Sequence, residues 1–118
     1  MSEQSLFGFE RLEVYQVARA GLRLVIANRS RLKGLPGEIA SQLERAGVST
    51  VANIAEAYGR VTQADRQHRY AIARAEANEA GAMVELAVLF GVFSDADYAE
   101  LRRSYQRVIW MLTALLRR

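Results

Sequence analysis

The sequence predicts an all-α protein, folded as an antiparallel up-down-up-down bundle of four helices. Apolar residues recur at intervals of three and four along most of the chain, which is the period of a helix and not of a strand. A single proline and few glycines interrupt this pattern, so the helices are long and their connections short. Short connections make neighbouring helices antiparallel. The four helices are predicted at residues 9–31, 36–58, 63–90 and 95–117.

Local signals set the ends of these helices. Pro36 suits the first turn of the second helix, and Gly59 suits the left-handed position that often follows a helix end. Thr62 and Ser94 suit the N-caps of the third and fourth helices, because each is followed three residues later by an aspartate, as in a capping box. Gly91 ends the third helix.

The composition is that of an ordinary globular protein. Of the 118 residues, 51% are hydrophobic and 25% are charged, which excludes a disordered chain. We expect one domain over residues 1–118, because the chain is too short for two. The lack of cysteine excludes a disulfide scaffold and thiolate metal sites. Neither a secretory signal at residues 1–5 nor an apolar run of membrane-spanning length is found, so we expect a cytoplasmic protein without membrane contact.

Candidate groups for catalysis, metal binding and cofactor binding are few. His68 is the only histidine, so the paired Glu-x-x-His motifs of a di-metal bundle cannot form and the usual serine triads are not available. The glycines form no phosphate-binding loop. Glu76 and Glu79 share a helical stripe and resemble an acid–base pair, but we favour contacts with arginines across an interface. We therefore expect no enzyme activity, no catalytic residue, no metal and no cofactor.

Two of the helices have more apolar surface than a monomeric bundle can bury. The third helix carries a face of small side chains and a second apolar stripe, and a helix that is apolar on two faces is usually packed between others. The stripe consists of Ile72, Met83, Leu86 and Phe90. In the fourth helix, Trp110 lies opposite the core face, near Arg103 and Arg107. Its ring can anchor a subunit interface, stack on a base or be covered by its own arginines; we favour self-association.

The segment at residues 41–60, SQLERAGVSTVANIAEAYGR, resembles the signature of a bacterial four-helix bundle family, the 23S rRNA intervening-sequence protein family. That signature reads Gln-Leu-Arg-Arg-Ala-x-x-Ser-x-x-x-Asn-Ile-Ala-Glu-Gly-x-Gly-Arg, and its Asn-Ile-Ala-Glu block, here residues 53–56, is quite specific. Flanking matches extend the resemblance over nearly the whole chain from Phe9. The sequence departs from the signature at Glu44, where the family has arginine, and at Ala57, where it has glycine.

The resemblance implies an assembly and classes of partner. Members of the family form ring-like homo-oligomers, with pentamers the expected state. Some are encoded within rRNA genes, and a related branch provides the accessory protein of diversity-generating retroelements, which serves a reverse transcriptase. The implied partners are therefore copies of the same chain and nucleic acid or a nucleic-acid enzyme. At position 44 the family has an arginine and this chain has a glutamate. A nucleic-acid contact that the family makes at this position is therefore less expected in this chain.

Polar residues of the signature lie near one edge of the buried face of the second helix. Arg45, Asn53 and Glu56 share this edge, where a polar group needs a hydrogen-bonding partner. Arg60 follows Glu56 by four residues, which is the favoured order for an ion pair on a helix. We favour a structural polar network between helices or subunits. The alternative is a contact with a ligand or nucleic acid in which Arg60 takes part.

Arginine dominates the positive charge. The chain holds 15 arginines and one lysine against 13 acidic residues, which gives a net charge of +3. In the predicted bundle, the start of the first helix, the connection between the second and third helices, and the end of the fourth share one end. The candidate nucleic-acid contacts at that end are Arg60, Arg66, Arg69, Arg117 and Arg118. Acidic residues keep the end mildly basic, but repetition around a ring would give it a potential that attracts polyanions.

These patterns leave two functions open. We favour a non-enzymatic, oligomeric binding or scaffold protein that contacts RNA, DNA or a nucleic-acid enzyme through its arginine-rich surface. The alternative is a purely structural or protein-interaction oligomer without nucleic-acid binding, in which the arginine excess reflects genomic base composition.

Overall fold

The computed structural model describes residues 6–118, and within that range the chain forms helices and no strand. The predicted all-α class is therefore confirmed. The elements are a 3-10 turn at Gly8–Arg11 and five α-helices at Glu13–Ala27 (α1), Arg29–Leu32 (α2), Gly37–Tyr58 (α3), Gln63–Leu89 (α4) and Asp95–Leu116 (α5). Among the described residues, no helix combines the length and the apolar character that crossing a bilayer requires. Residues 1–5, which we expect to carry no secretory signal, lie outside the described range.

Four of these helices pack side by side as a helical bundle. α1 packs against α3 and α5, and α4 packs against the same two helices. Contacts at the helix ends give the directions. The Gln67 side chain, near the start of α4, donates to the Arg118 carbonyl beyond α5 at 3.2 Å. At the opposite end, the Tyr98 hydroxyl near the start of α5 donates to Glu85 near the end of α4 at 2.7 Å, so these two helices are antiparallel.

The first predicted helix, residues 9–31, is interrupted twice. Leu12 has an extended backbone, with ψ of 128°, between the 3-10 turn and α1. Asn28 separates α1 from α2 with φ of −96° and ψ of 12°. Its buried amide donates to the Leu24 carbonyl at 2.9 Å. An asparagine amide bonded to a nearby carbonyl competes with the hydrogen bonds of the helix, and apolar periodicity does not reveal this competition.

The predicted caps of α4 and α5 are confirmed. Thr62 Oγ1 and Ser94 Oγ each accept a hydrogen bond at 3.1 Å from the backbone amide three residues later. The left-handed conformation predicted for Gly59 is wrong, because its φ is −81° and the Arg60 amide donates back into the last turn of α3 at 3.1 Å. Gly91 follows α4 and has a φ of 68°, and it is the one residue between 6 and 118 with a positive φ.

The core combines small side chains on α4 with one large ring from α5. The fully buried alanines of α4 are Ala73, Ala77, Ala80 and Ala87. Tyr105 is buried at the centre of the bundle, where two glycines make room for it. A Cβ atom at Gly47 would lie 3.1 Å from the Tyr105 hydroxyl, and a Cβ atom at Gly21 would lie 3.3 Å from its ring. The ring of α5 therefore reaches both α1 and α3.

Candidate functional site

One end of the bundle gathers the five candidate nucleic-acid contacts. We call it the arginine end and define it by Arg60, Arg66, Arg69, Arg117 and Arg118. The first three lie after α3 and near the start of α4, and the last two follow α5. Gln63 and Gln67 of α4 donate to the Arg118 carbonyl at 3.4 and 3.2 Å, which joins the two parts.

Arg66 holds the connection between α3 and α4. Its Nη1 donates to the carbonyls of Arg60 and Val61, each at 3.0 Å, and so satisfies backbone groups that lie beyond the last turn of α3. Burial raises the pKa of the Tyr70 hydroxyl, and the positive charges of Arg66 and Arg118 oppose that shift. Arg66 of α4 and Arg118 beyond α5 are therefore both close enough to Tyr70 to influence its pKa.

Glu56 and Asn53 hold the other two arginines near α3. Glu56 Oε1 lies 2.8 Å from Arg60 Nη2 and 3.6 Å from Arg69 Nη2. Arg69 Nη1 also donates to Asn53 Oδ1 at 3.3 Å, and Asn53 Nδ2 donates to the Ser49 carbonyl at 2.9 Å. One carboxylate thus serves two guanidinium groups, and the cluster retains positive charge.

Arg45 does not join this polar cluster. It is exposed and forms no hydrogen bond or ion pair with any residue between 6 and 118. Eight positions separate it from Asn53, which places it about 12 Å away along the axis of α3. Within the chain, the arginine that contacts Asn53 and Glu56 from the facing helix α4 is Arg69.

Three arginines of the arginine end keep their charge unpaired. Within residues 6–118, Arg66, Arg117 and Arg118 take part in none of the ion pairs. The last two are exposed beyond the C-terminus of α5, where the helix dipole favours positive charge. The free positive charge therefore lies both at the start of α4 and at the end of α5.

Two exposed aromatic rings also lie at the arginine end, and sequence reasoning missed them. Phe7 is 66% exposed and stacks on Phe9, with ring centroids 5.3 Å apart. Tyr58, the last residue of α3, is 50% exposed and lies over Gly8, where a Cβ atom would come within 2.6 Å of its ring. The available signal was the segment FGF before the first predicted helix, because it adds aromatic residues outside the helical periodicity.

Trp110 is exposed on α5. It is 62% exposed, so arginines of the same chain do not cover its ring. Arg103 and Arg107 contact carboxylates instead, at 2.6 Å from Glu100 and 3.2 Å from Glu13. Trp110 and the two arginines help to line a shallow groove of about 340 Å³. A subunit interface and base stacking remain as interpretations of the ring.

The apolar stripe predicted on α4 is only partly exposed. Leu86 and Phe90 are exposed, whereas Ile72 and Met83 are half-buried and Met83 packs against the core. Leu89, which we did not include in the stripe, is more exposed than any of these four. The exposed part of the stripe thus lies near the end of α4, away from the arginine end.

Groups suited to acid–base or metal chemistry are scattered. His68 is exposed on α4, and Glu76 and Glu79 are half-buried on the same helix. Among residues 6–118, no group of three or more histidine or acidic side chains is arranged to hold a metal ion. What the described surface offers at the arginine end is positive charge beside aromatic rings.

Comparisons with known proteins bear on the family and the fold. The family described as 23S rRNA-intervening sequence protein matches residues 10–114. Among solved structures, the fold is similar to that of a protein with unknown function from the S23 ribosomal protein family of Bacteroides thetaiotaomicron VPI-5482, with a TM-score of 0.80 and 22% sequence identity. That similarity covers 89% of this chain and 99% of the other. No curated protein matches the sequence.

Proposed function

This chain belongs to the 23S rRNA-intervening sequence protein family, and we propose that it is a non-enzymatic, homo-oligomeric binding or scaffold protein whose arginine end contacts nucleic acid. The observation that carries the proposal is the unpaired charge of Arg66, Arg117 and Arg118 at one end of the bundle. Guanidinium groups bind phosphate through paired hydrogen bonds, so free arginines in one place suit a phosphate backbone.

Self-association is the second part of the proposal. Trp110 is exposed, and the arginines beside it are paired with carboxylates, so this face offers apolar surface with little free charge. Such a face suits another protein surface, and tryptophan is a frequent anchor of interfaces. The family resemblance makes a pentamer the expected assembly. In a ring whose axis runs along the bundles, the arginine ends share one face, and their repetition increases the positive potential there.

Binding is favoured over catalysis by the residues available. The chain has one histidine and no cysteine, and that histidine is exposed. A general base works best when burial or neighbouring charges tune it and a second group lies within hydrogen-bonding reach. We place this role in the cytoplasm.

The alternative function, a purely structural or protein-interaction oligomer, is favoured by a different observation. Arg60, Arg69, Arg103 and Arg107 are each paired with a carboxylate of the same chain. These four arginines need no polyanion to satisfy them. In that case, Arg117 and Arg118 only complement the dipole of α5.

Binding of labelled RNA and DNA strands, followed by fluorescence anisotropy over a range of salt concentrations, separates the two functions. We expect the logarithm of the association constant to fall linearly with the logarithm of the salt concentration. The double variant Arg117→Gln/Arg118→Gln should reduce the magnitude of that slope by about 1.4, because each phosphate that an arginine neutralises on a single strand contributes about 0.7. Wild-type protein that binds neither RNA nor DNA at low salt would favour the structural alternative.

The matched control removes the same charge elsewhere. Arg19 and Arg23 lie on α1, are exposed and form no ion pair within residues 6–118. Arg19→Gln/Arg23→Gln should therefore leave the slope nearly unchanged. An equal change in both double variants would mean that net charge, and not the arginine end, determines binding.

Light scattering during size-exclusion chromatography tests the assembly. We expect a mass of several chains, and a wild-type species of 13.2 kDa would contradict the oligomer. Trp110→Glu should shift the mass toward the monomer, because it places a charge at the centre of an apolar contact. Trp110→Phe keeps an aromatic ring there and should keep the assembly.

A further inference from the structure

We infer that the arginine end binds single-stranded nucleic acid in preference to duplex, and that Phe7 and Tyr58 are the surfaces on which unpaired bases stack. This inference rests on the proposed function and adds the class of ligand and two residues that contact it. It comes from the juxtaposition of open aromatic rings and unpaired arginines at the same end of the bundle.

Phe7 is exposed but held in place. Its backbone amide donates to Glu10 Oε1 at 3.1 Å, and the Glu10 amide donates back to the Phe7 carbonyl at 3.0 Å. The Phe9 ring stacks against it at an interplanar angle of 6°, and Tyr15 packs against Phe9 with ring centroids 4.9 Å apart. One face of the Phe7 ring is therefore supported, and the exposed side can receive a further ring in an offset stack.

Tyr58 brings a second ring to the same place. It closes α3, so its backbone belongs to a long packed helix. Gly8 has no side chain, and the Tyr58 ring occupies the space that a Cβ atom would take there. Gly8 follows Phe7 in the chain, so the Tyr58 ring lies against the residue next to Phe7. The two exposed rings come from different elements at the same end of the bundle.

Arg66, one of the unpaired arginines, is joined to the segment that follows Tyr58. Its Nη1 donates at 3.0 Å to the carbonyl of Arg60, two residues beyond Tyr58. A single strand offers phosphates and open base faces together, and aromatic rings flanked by arginines bind both. Charge complementarity therefore favours a polyanion with exposed aromatic faces over a neutral apolar partner.

A duplex does not offer what the two rings bind. Its bases are paired and stacked on one another, so only its phosphates and groove edges are accessible to a protein surface. The arginines would contact both forms of nucleic acid, whereas the rings would add affinity for the single strand alone. A stacked base contributes about tenfold to affinity.

Anisotropy at one fixed salt concentration, with an RNA strand and with the same strand annealed to its complement, tests the inference. We expect wild-type protein to bind the single strand at least about tenfold more tightly than the duplex. Phe7→Ala and Tyr58→Ala should each lose most of that preference and keep the duplex affinity. Tyr58→Phe should keep the preference, because it keeps the ring. Ile26→Ala, which trims an exposed apolar side chain on the far part of α1, should change neither affinity.

The possible outcomes separate this inference from the proposed function. Equal wild-type affinity for the two forms would overturn the inference and leave the proposed function standing, whereas no binding to either form would overturn both. A changed mass of Phe7→Ala in light scattering would assign the ring to a contact between copies of the chain and overturn the inference. Phe7 lies outside every α-helix, so its variant tests the inference even where Tyr58→Ala unfolds.

Discussion

Two tyrosines of this chain lie over glycines, one at the centre of the bundle and one at the arginine end. At the centre, Tyr105 fits between Gly21 and Gly47 and is fully buried. At the arginine end, Tyr58 lies over Gly8 and stays half exposed. In both places a missing side chain makes room for a ring, but only the central ring is enclosed.

The hydroxyl groups show what this difference means. Tyr105 Oη is the only buried side-chain polar atom of residues 6–118 without a hydrogen-bond partner, and such an atom costs about 1–3 kcal/mol. Burial also raises the pKa of Tyr105 well above its ordinary value. The Tyr58 side chain is half exposed. The packing of the Tyr105 ring therefore stabilises the fold while its unpartnered hydroxyl destabilises it, whereas the Tyr58 ring leaves surface for a partner.

Filling the central glycine should give the largest effect. The side chain of Gly47→Leu would collide with Tyr105, since even a Cβ atom there lies 3.1 Å from its hydroxyl. We expect the free energy of unfolding to fall by about 3 kcal/mol, as in other overpacked cores. Urea denaturation at a fixed protein concentration measures this change.

A second glycine in a helix provides the control. Gly81 lies within α4, and no atom lies within 4 Å of the Cβ position there. Gly81→Leu should be neutral or raise the free energy of unfolding by up to about 1 kcal/mol, because leucine has the higher helix propensity. Equal losses in the two variants would show that the centre is not tightly closed around Tyr105.

Removing the central hydroxyl should have a smaller effect of opposite sign. Tyr105→Phe deletes the unpartnered atom and keeps the ring, so we expect the free energy of unfolding to rise by about 1 kcal/mol. Tyr58→Phe, at the arginine end, should change it by less than about 0.5 kcal/mol. A loss of stability in Tyr105→Phe would mean that the hydroxyl is hydrogen-bonded.

The same variant should change the response to alkali. The unfolded chain loses a tyrosine proton near pH 10.0, whereas burial raises the pKa of Tyr105 in the folded protein. The stability that depends on this proton is therefore complete below pH 10.0 and declines as the pH rises above it. Denaturation curves between pH 8 and about pH 11 should show a shallower decline in Tyr105→Phe than in the wild type.

The centre of the molecule follows from the sequence more directly than the arginine end does. Helix periods and the caps at Thr62 and Ser94 depend on residues close together in the chain, so the long helices could be predicted. The break at Asn28 could not be predicted. The Asn28 side-chain amide competes with the backbone hydrogen bonds of the helix, and the spacing of apolar residues does not reveal that competition.

At the arginine end, the helix topology could be predicted, but the hydrogen-bond partners of the side chains could not. Because α4 and α5 are antiparallel, Arg117 and Arg118 lie near the start of α4 for any detailed packing of the two helices. The partner of Asn53, by contrast, depends on how α3 and α4 are rotated against each other, and it is Arg69 and not Arg45. Phe7 and Tyr58 belong to different elements, so no pattern within one segment indicates that the Tyr58 ring lies over Gly8, the residue next to Phe7.

Filling the glycine at the arginine end should have the smallest effect on stability. In Gly8→Ala the new Cβ atom would come within 2.6 Å of the Tyr58 ring, so the ring must move. It is half exposed and can turn into solvent, at a cost below about 0.5 kcal/mol. Displacing the ring should nevertheless lower the single-strand affinity several-fold and leave the duplex affinity unchanged, as in Tyr58→Ala.

Gly37→Ala provides the control for this substitution. Gly37 begins α3 at the opposite end of the bundle, and no atom lies within 4 Å of its Cβ position. It should change neither affinity nor stability appreciably. If Gly8→Ala destabilised the protein as much as Gly47→Leu, the Tyr58 ring would be enclosed like the Tyr105 ring. Tyr58 would then not be free to receive a base.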